Sequence, residues 1–105
     1  MLERRIAERS EVIVQMEGKK NGDVFTGTSV NVSEAGVFIE TNKILTLGDA
    51  VTIRLVLEGH EDIVGTGEVV RDEDQGFGRQ GYAVRWSLTD SQRQALMTLI
   101  RSNKK

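Results

Sequence analysis

The chain has 105 residues, enough for one domain with a single core and too few for a second. Fourteen Lys and Arg against sixteen Asp and Glu leave a formal charge of -2. That balance excludes a general phosphate-backbone binder, which needs a basic field over a whole face, so any anion site must be local. With no cysteine, disulfide scaffolds, thiol nucleophiles and thiolate metal sites are excluded as well.

The first ten residues, "MLERRIAERS", carry Arg4, Arg5 and Arg9 interleaved with Glu3 and Glu8, and they are too charged for the apolar stretch of a signal peptide. No apolar run approaches the ~20 residues of a membrane span. A soluble, cytoplasmic, monomeric domain is expected, with no membrane insertion. From Glu11 to Ser87 short β-branched segments alternate with turn residues, the rhythm of a barrel or sandwich. The predicted strands are Glu11 to Glu17, Val24 to Val32, Gly36 to Thr41, Val51 to Leu57, Ile63 to Arg71 and Tyr82 to Ser87. Asn21-Gly22 supplies the pair that tolerates the positive φ angles of a tight hairpin between the first two. Val51, Ile53, Leu55 and Leu57 share one face of the fourth. The acidic, glycine-rich "DEDQGFGRQG" reads as a loop between the last two strands. From Thr89 the period changes: Leu96, Leu99 and Ile100 form one apolar stripe at helical spacing, and Thr89 with Gln92 reads as a capping box. The expected architecture is all-β, a six-stranded antiparallel barrel over 11–87 with a C-terminal helix over 89–102.

Several motif matches fail in their context. Gly76, Gly78 and Gly81 spell the dinucleotide pattern, but the third glycine opens the alternating strand "YAVRWS" where that fingerprint requires a helix. Asp72, Glu73 and Asp74 lack the spacing and the bidentate Glu of a calcium loop. His60, the one histidine, sits in a turn and is given no role. Without paired catalytic carboxylates or a glycine-elbow serine, the inventory does not describe an enzyme or require a metal or cofactor. Five aromatics in an acidic chain make a poor stacking platform for RNA or single-stranded DNA, so no nucleic-acid partner is expected. The alternation of its strand assigns Trp86 to core packing against the helix.

"NVSEAG", Asn31 to Gly36, places two small polar side chains and a glycine where one strand ends and the next begins. Alone it is an ordinary turn composition. With Arg5-x-x-x-Arg9 about twenty residues upstream, six short strands and a final helix, the whole chain resembles the PilZ domain family. "LGDAVTIRLVL" (Leu47 to Leu57) and "GYAVRW" (Gly81 to Trp86) extend the resemblance. PilZ domains are bacterial receptors for cyclic di-GMP, and the two motifs are their ligand-binding signature. The resemblance implies that Arg5 and Arg9 grip phosphate and guanine, that Asn31 and Ser33 hydrogen-bond the guanine edge and a nearby phosphate, and that Gly36 lets backbone approach the nucleotide, so that Gly36→Ala should weaken binding at little cost in stability. Guanidinium suits this ligand because it can fork onto a phosphate, chelate guanine O6 and N7, and stack on a base. The family often has an aromatic near the end of the strand reading "EVVRD"; here Arg71 stands there and can stack as a cation. An arginine just before the first motif, Arg4, implies two ligands per domain. An effector protein that receives the signal in control of motility, biofilm or exopolysaccharide is implied too. The alternative is a PilZ-like adaptor that binds no nucleotide.

Overall fold

The computed structural model describes residues 10–103, which form seven strands and one helix. In chain order these are β1 (Ser10–Glu11), β2 (Gln15–Lys20), β3 (Asp23–Ser33), β4 (Gly36–Thr41), β5 (Ala50–Leu55), β6 (Ile63–Gly76), β7 (Arg79–Ser87) and α1 (Asp90–Asn103). The strands pair in the order β1-β3-β2-β5-β6-β7-β4, all antiparallel, and β4 returns to β3. Six strands therefore close into the expected barrel, and β1 is an extra strand laid along the β3 edge that β2 vacates.

That extra strand corrects the reading of Glu11 to Glu17 as one unit. The chain breaks over Val12 to Val14 because the buried Ser29 hydroxyl enters the ladder there. It donates to the Val12 carbonyl and accepts from the Val14 amide at 3.1 Å, between the main-chain bonds from Val12 to Val30 at 3.2 Å and from Ser29 to Val14 at 2.9 Å. The partner strand bulges at the same level, between Ser29 and Asn31. The second correction concerns "DEDQGFGRQG", most of which is not a loop. Glu73 pairs with Gly81 and Asp74 with Gln80, extending β6 and β7 into a hairpin arm whose turn carries left-handed Gly76, Phe77 and Gly78. The dinucleotide reading of these glycines fails here too, since Gly81 lies within β7.

Elsewhere the local chemistry acts as read. Asn21 and Gly22 both adopt positive φ, 53° and 85°, and turn β2 into β3. Met16, Ile39, Ile53, Leu55, Ile63, Val69 and Val84 alternate inward and are fully buried, with Tyr82 and Trp86 filling the same core. Burying Tyr82 leaves its hydroxyl no water, and it accepts from the Leu45 amide at 3.0 Å. Helix α1 presses Leu96 and Leu99 into this core, with Ile100 packed beside them. Thr89 caps the helix by accepting from the Gln92 amide at 3.2 Å. The reciprocal half of the capping box is absent: the Gln92 side chain instead accepts from the Val64 amide of β6 at 2.8 Å, pinning helix to barrel. No described helix is long and apolar enough to cross a membrane.

Candidate functional site

The alternation that builds the core also decides what the barrel presents outside. Val32, Val37, Val84 and Val69 belong to the interior cluster, so their neighbours Asn31 and Ser33, Gly36 and Phe38, Ala83 and Arg85, and Glu68 point outward. Register then aligns these residues across four adjacent strands. One rung runs Asn31, Phe38, Ala83, Arg71 from β3 through β4 and β7 to β6, and the next runs Ser33, Gly36, Arg85, Glu68. On the first rung β1 adds Glu11 beside Asn31. Four of the residues predicted for the site, Asn31, Ser33, Gly36 and Arg71, thus share one outer face. Arg4, Arg5 and Arg9 lie outside the described residues.

The face has an apolar floor. Phe38 is buried although it is outside the interior cluster, and its ring covers Gly81, where a Cβ would fall 2.5 Å from Phe38 Cζ. The Arg71 guanidinium carbon stands 6.0 Å from the centre of that ring, at the limit of a cation–π contact, and its Nε is 3.2 Å from Glu73 Oε2. Arg71 is therefore placed over an aromatic while about half of its side chain stays exposed.

The Ser33–Gly36 turn is fixed from several directions. Ser33 Oγ accepts from the Ala35 amide at 3.2 Å, closing a local turn of the kind serine favours. The buried indole of Trp86 donates to the Ser33 carbonyl at 3.1 Å, and the Trp86 amide donates to the Ala35 carbonyl at the same distance. Arg93 of α1 lies 3.6 Å from Glu34. Ser33 is only 7% exposed, so little of this serine reaches the outer surface. Gly36 also has a packing reason to be glycine. A Cβ there would stand 2.7 Å from the Val84 carbonyl oxygen, which makes close packing of β4 on β7 a reason for glycine at this position.

Two outward residues escaped the sequence reading, Phe38 and Arg85. Their phase could be read from alternation, but only strand order reveals that β4 and β7 lie side by side next to "NVSEAG". Trp86 is buried as expected and reaches the turn through its indole and backbone N–H groups. Among the described residues no cluster of His, Asp and Glu is arranged to hold a metal ion.

A closed barrel with a C-terminal helix, presenting this turn and these arginines on its outer wall, defines a small β-barrel domain of the PilZ type. The chain belongs to the PilZ domain family, whose model matches residues 3–102. No curated protein gives a significant match. Among solved structures, the Bacillus subtilis inhibitor of motility (MotI/DgrA) is 18% identical with a TM-score of 0.79, over 96% of this chain and 52% of that one. This chain therefore spans about half the length of the Bacillus protein. The PilZ domain of YcgR from Escherichia coli, solved with c-di-GMP, is 13% identical with a TM-score of 0.73, covering 95% of this chain and 91% of that one. The PilZ domain of CeSA from a cellulose-synthesizing bacterium is 22% identical with a TM-score of 0.63, covering 90% and 96%. At these identities the likeness establishes the fold.

Proposed function

We propose that this domain is a receptor for cyclic di-GMP, which it binds on the outer wall formed by β3, β4, β7 and β6 together with the arginines of its N-terminal motif, relaying occupancy to a partner protein. The observation that carries the reading is the register of β1. Ser10 pairs with Val32 and Glu11 with Asn31, so the residue that follows Arg9 in the chain is bound alongside the Asn31-x-Ser33-x-x-Gly36 turn. Family membership and the c-di-GMP-bound YcgR domain support the ligand class.

The division of labour follows from chemistry. Arg5 and Arg9 supply forked, charge-assisted contacts to phosphate and guanine. Asn31, half exposed beside Phe38, offers an amide to a guanine edge, and the Ser33 hydroxyl donates to a phosphate oxygen. Arg71, lying over Phe38, caps a base face. Arg4 adds a third guanidinium, which suits an intercalated pair of ligands with four phosphate charges, two molecules per domain. The domain acts by binding and not by catalysis, as a cytoplasmic monomer. The Bacillus protein is named an inhibitor of motility, which makes a motility component one reasonable class of partner here.

Calorimetry with cyclic di-GMP against GMP, cyclic GMP and an oligonucleotide tests the reading. Saturable binding of the first alone is expected, and Arg9→Ala should weaken it about 10- to 150-fold, the equivalent of a charged hydrogen bond of ~1.5–3 kcal/mol. Equal affinity for the oligonucleotide, or no cyclic di-GMP binding by the folded protein, refutes it.

A further inference from the structure

We infer that Arg85 is a further ligand-binding residue of this face, with Glu68 as a loosely paired neighbour whose charge opposes an anionic ligand; the inference rests on the cyclic di-GMP reading above. Register places Arg85 directly across Gly36, with Ser33 on the far side of the glycine and Glu68 on the near side. Because Gly36 has no side chain, nothing from β4 stands between the Ser33 hydroxyl and the Arg85 guanidinium. Their strands are two spacings apart, about 10 Å, a gap that a long arginine and a ligand phosphate bridge together.

Arg85 differs from four other described arginines in how it is held. Arg54, Arg71, Arg79 and Arg93 each hydrogen-bond a carboxylate, at 3.3 Å to Asp62, at 3.2 Å to Glu73, closely to Glu40, and at 2.7 Å to Asp90. Arg85 Nη2 stands 3.7 Å from Glu68 Oε1, beyond hydrogen-bond reach, and the two side chains are 68% and 49% exposed. So exposed and loose a pair contributes little to stability. The guanidinium keeps all its N–H donors for a newcomer and gives up almost nothing when it leaves Glu68. Charge balance points the same way. Glu68 stands directly across from Arg85, so without Arg85 its carboxylate would face an anionic ligand.

The two partners should therefore act in opposite directions on affinity, which a merely structural ion pair would not do. In calorimetry, Arg85→Gln should weaken cyclic di-GMP binding about tenfold and flatten its salt dependence. Glu68→Gln should tighten binding several-fold, and Arg85→Lys, which keeps charge but loses the fork, should fall between wild type and Arg85→Gln. All three variants should melt within a few degrees of wild type, as surface substitutions do. Wild-type affinity in Arg85→Gln, or a shift of both Gln variants in the same direction, overturns the role of Arg85 while leaving the receptor reading intact. Absence of binding by the wild type overturns both.

Discussion

Replacing Gly36 by alanine separates two explanations for the last residue of the "NVSEAG" turn. The added methyl would lie 2.7 Å from the Val84 carbonyl oxygen and 3.6 Å from its carbon. Gly36 is not among the residues with positive φ, so the backbone angle itself carries no penalty. The obstacle is a neighbouring main chain that cannot swing aside, because Gly36 is paired with Arg85 and Val37 with Val84. Overpacking of this kind costs ~1–3 kcal/mol, and the restricted unfolded chain returns ~0.4–1 kcal/mol. At the midpoints of these ranges the net loss is about 1.3 kcal/mol, which lowers the melting temperature by roughly 5–10 °C in a domain of this size. Differential scanning calorimetry of the ligand-free protein reads the stability term, and titration with cyclic di-GMP reads the binding term. The packing argument predicts a lower melting temperature before any ligand is added. A variant that melts like wild type yet binds weakly would refute it, and would return Gly36 to a residue needed only for close approach of the nucleotide.

Leu96→Ala should destabilise by ~2–5 kcal/mol, since the side chain is fully buried between α1 and the barrel; a chemical-denaturation midpoint that does not move would detach the helix from the core. The Asp49 carboxyl is held below its usual value of 3.8 by the Lys20 ammonium at 2.9 Å and then by the Thr46 amide at 2.7 Å. Its contribution to stability is therefore complete above the ordinary carboxylate range and is lost as pH falls through the lowered value, so Asp49→Asn should flatten part of the decline in melting temperature between about pH 5 and pH 2. An unaltered acid limb would remove Asp49 from that account. Arg4→Leu should lower the calorimetric stoichiometry from two cyclic di-GMP toward one with affinity retained; a wild type that titrates at one, or a variant still at two, contradicts the role given to Arg4.

Much of the barrel was legible because its elements are specified locally. Val51, Ile53 and Leu55 alternate, Asn21-Gly22 has few alternatives to a tight turn, and Leu96 and Leu99 recur at helical spacing. The break over Val12 to Val14 was not legible, for "EVIVQME" alternates without interruption and the group that breaks it, the Ser29 hydroxyl, lies 15 residues from Val14 in sequence. The hairpin arm was missed for the complementary reason. "DEDQG" has little strand propensity and is held extended by its pairing with β7, a tertiary effect that overrides composition. At the site, "NVSEAG" and Arg71 were reached through the resemblance to the family, whereas Phe38 and Arg85 have ordinary strand chemistry and gain meaning only from β4 and β7 being neighbours.

The closed ring can also be taken apart in thought as two meanders, β2-β3-β4 and β5-β6-β7, zipped along two seams where β2 meets β5 and β4 meets β7. The pairings within each meander join strands consecutive in sequence, while both seams join distant ones and close late, after the larger loss of chain entropy. Asn31, Ser33 and Gly36 belong to the first meander, Arg71 and Arg85 to the second, and the β4–β7 seam runs between them. A molecule gripped from both sides is a staple across that seam. It must let go of one meander before the barrel can unzip there, so ligand would slow the opening of β4 from β7 and lengthen the lifetime of the folded domain, not merely raise its melting temperature.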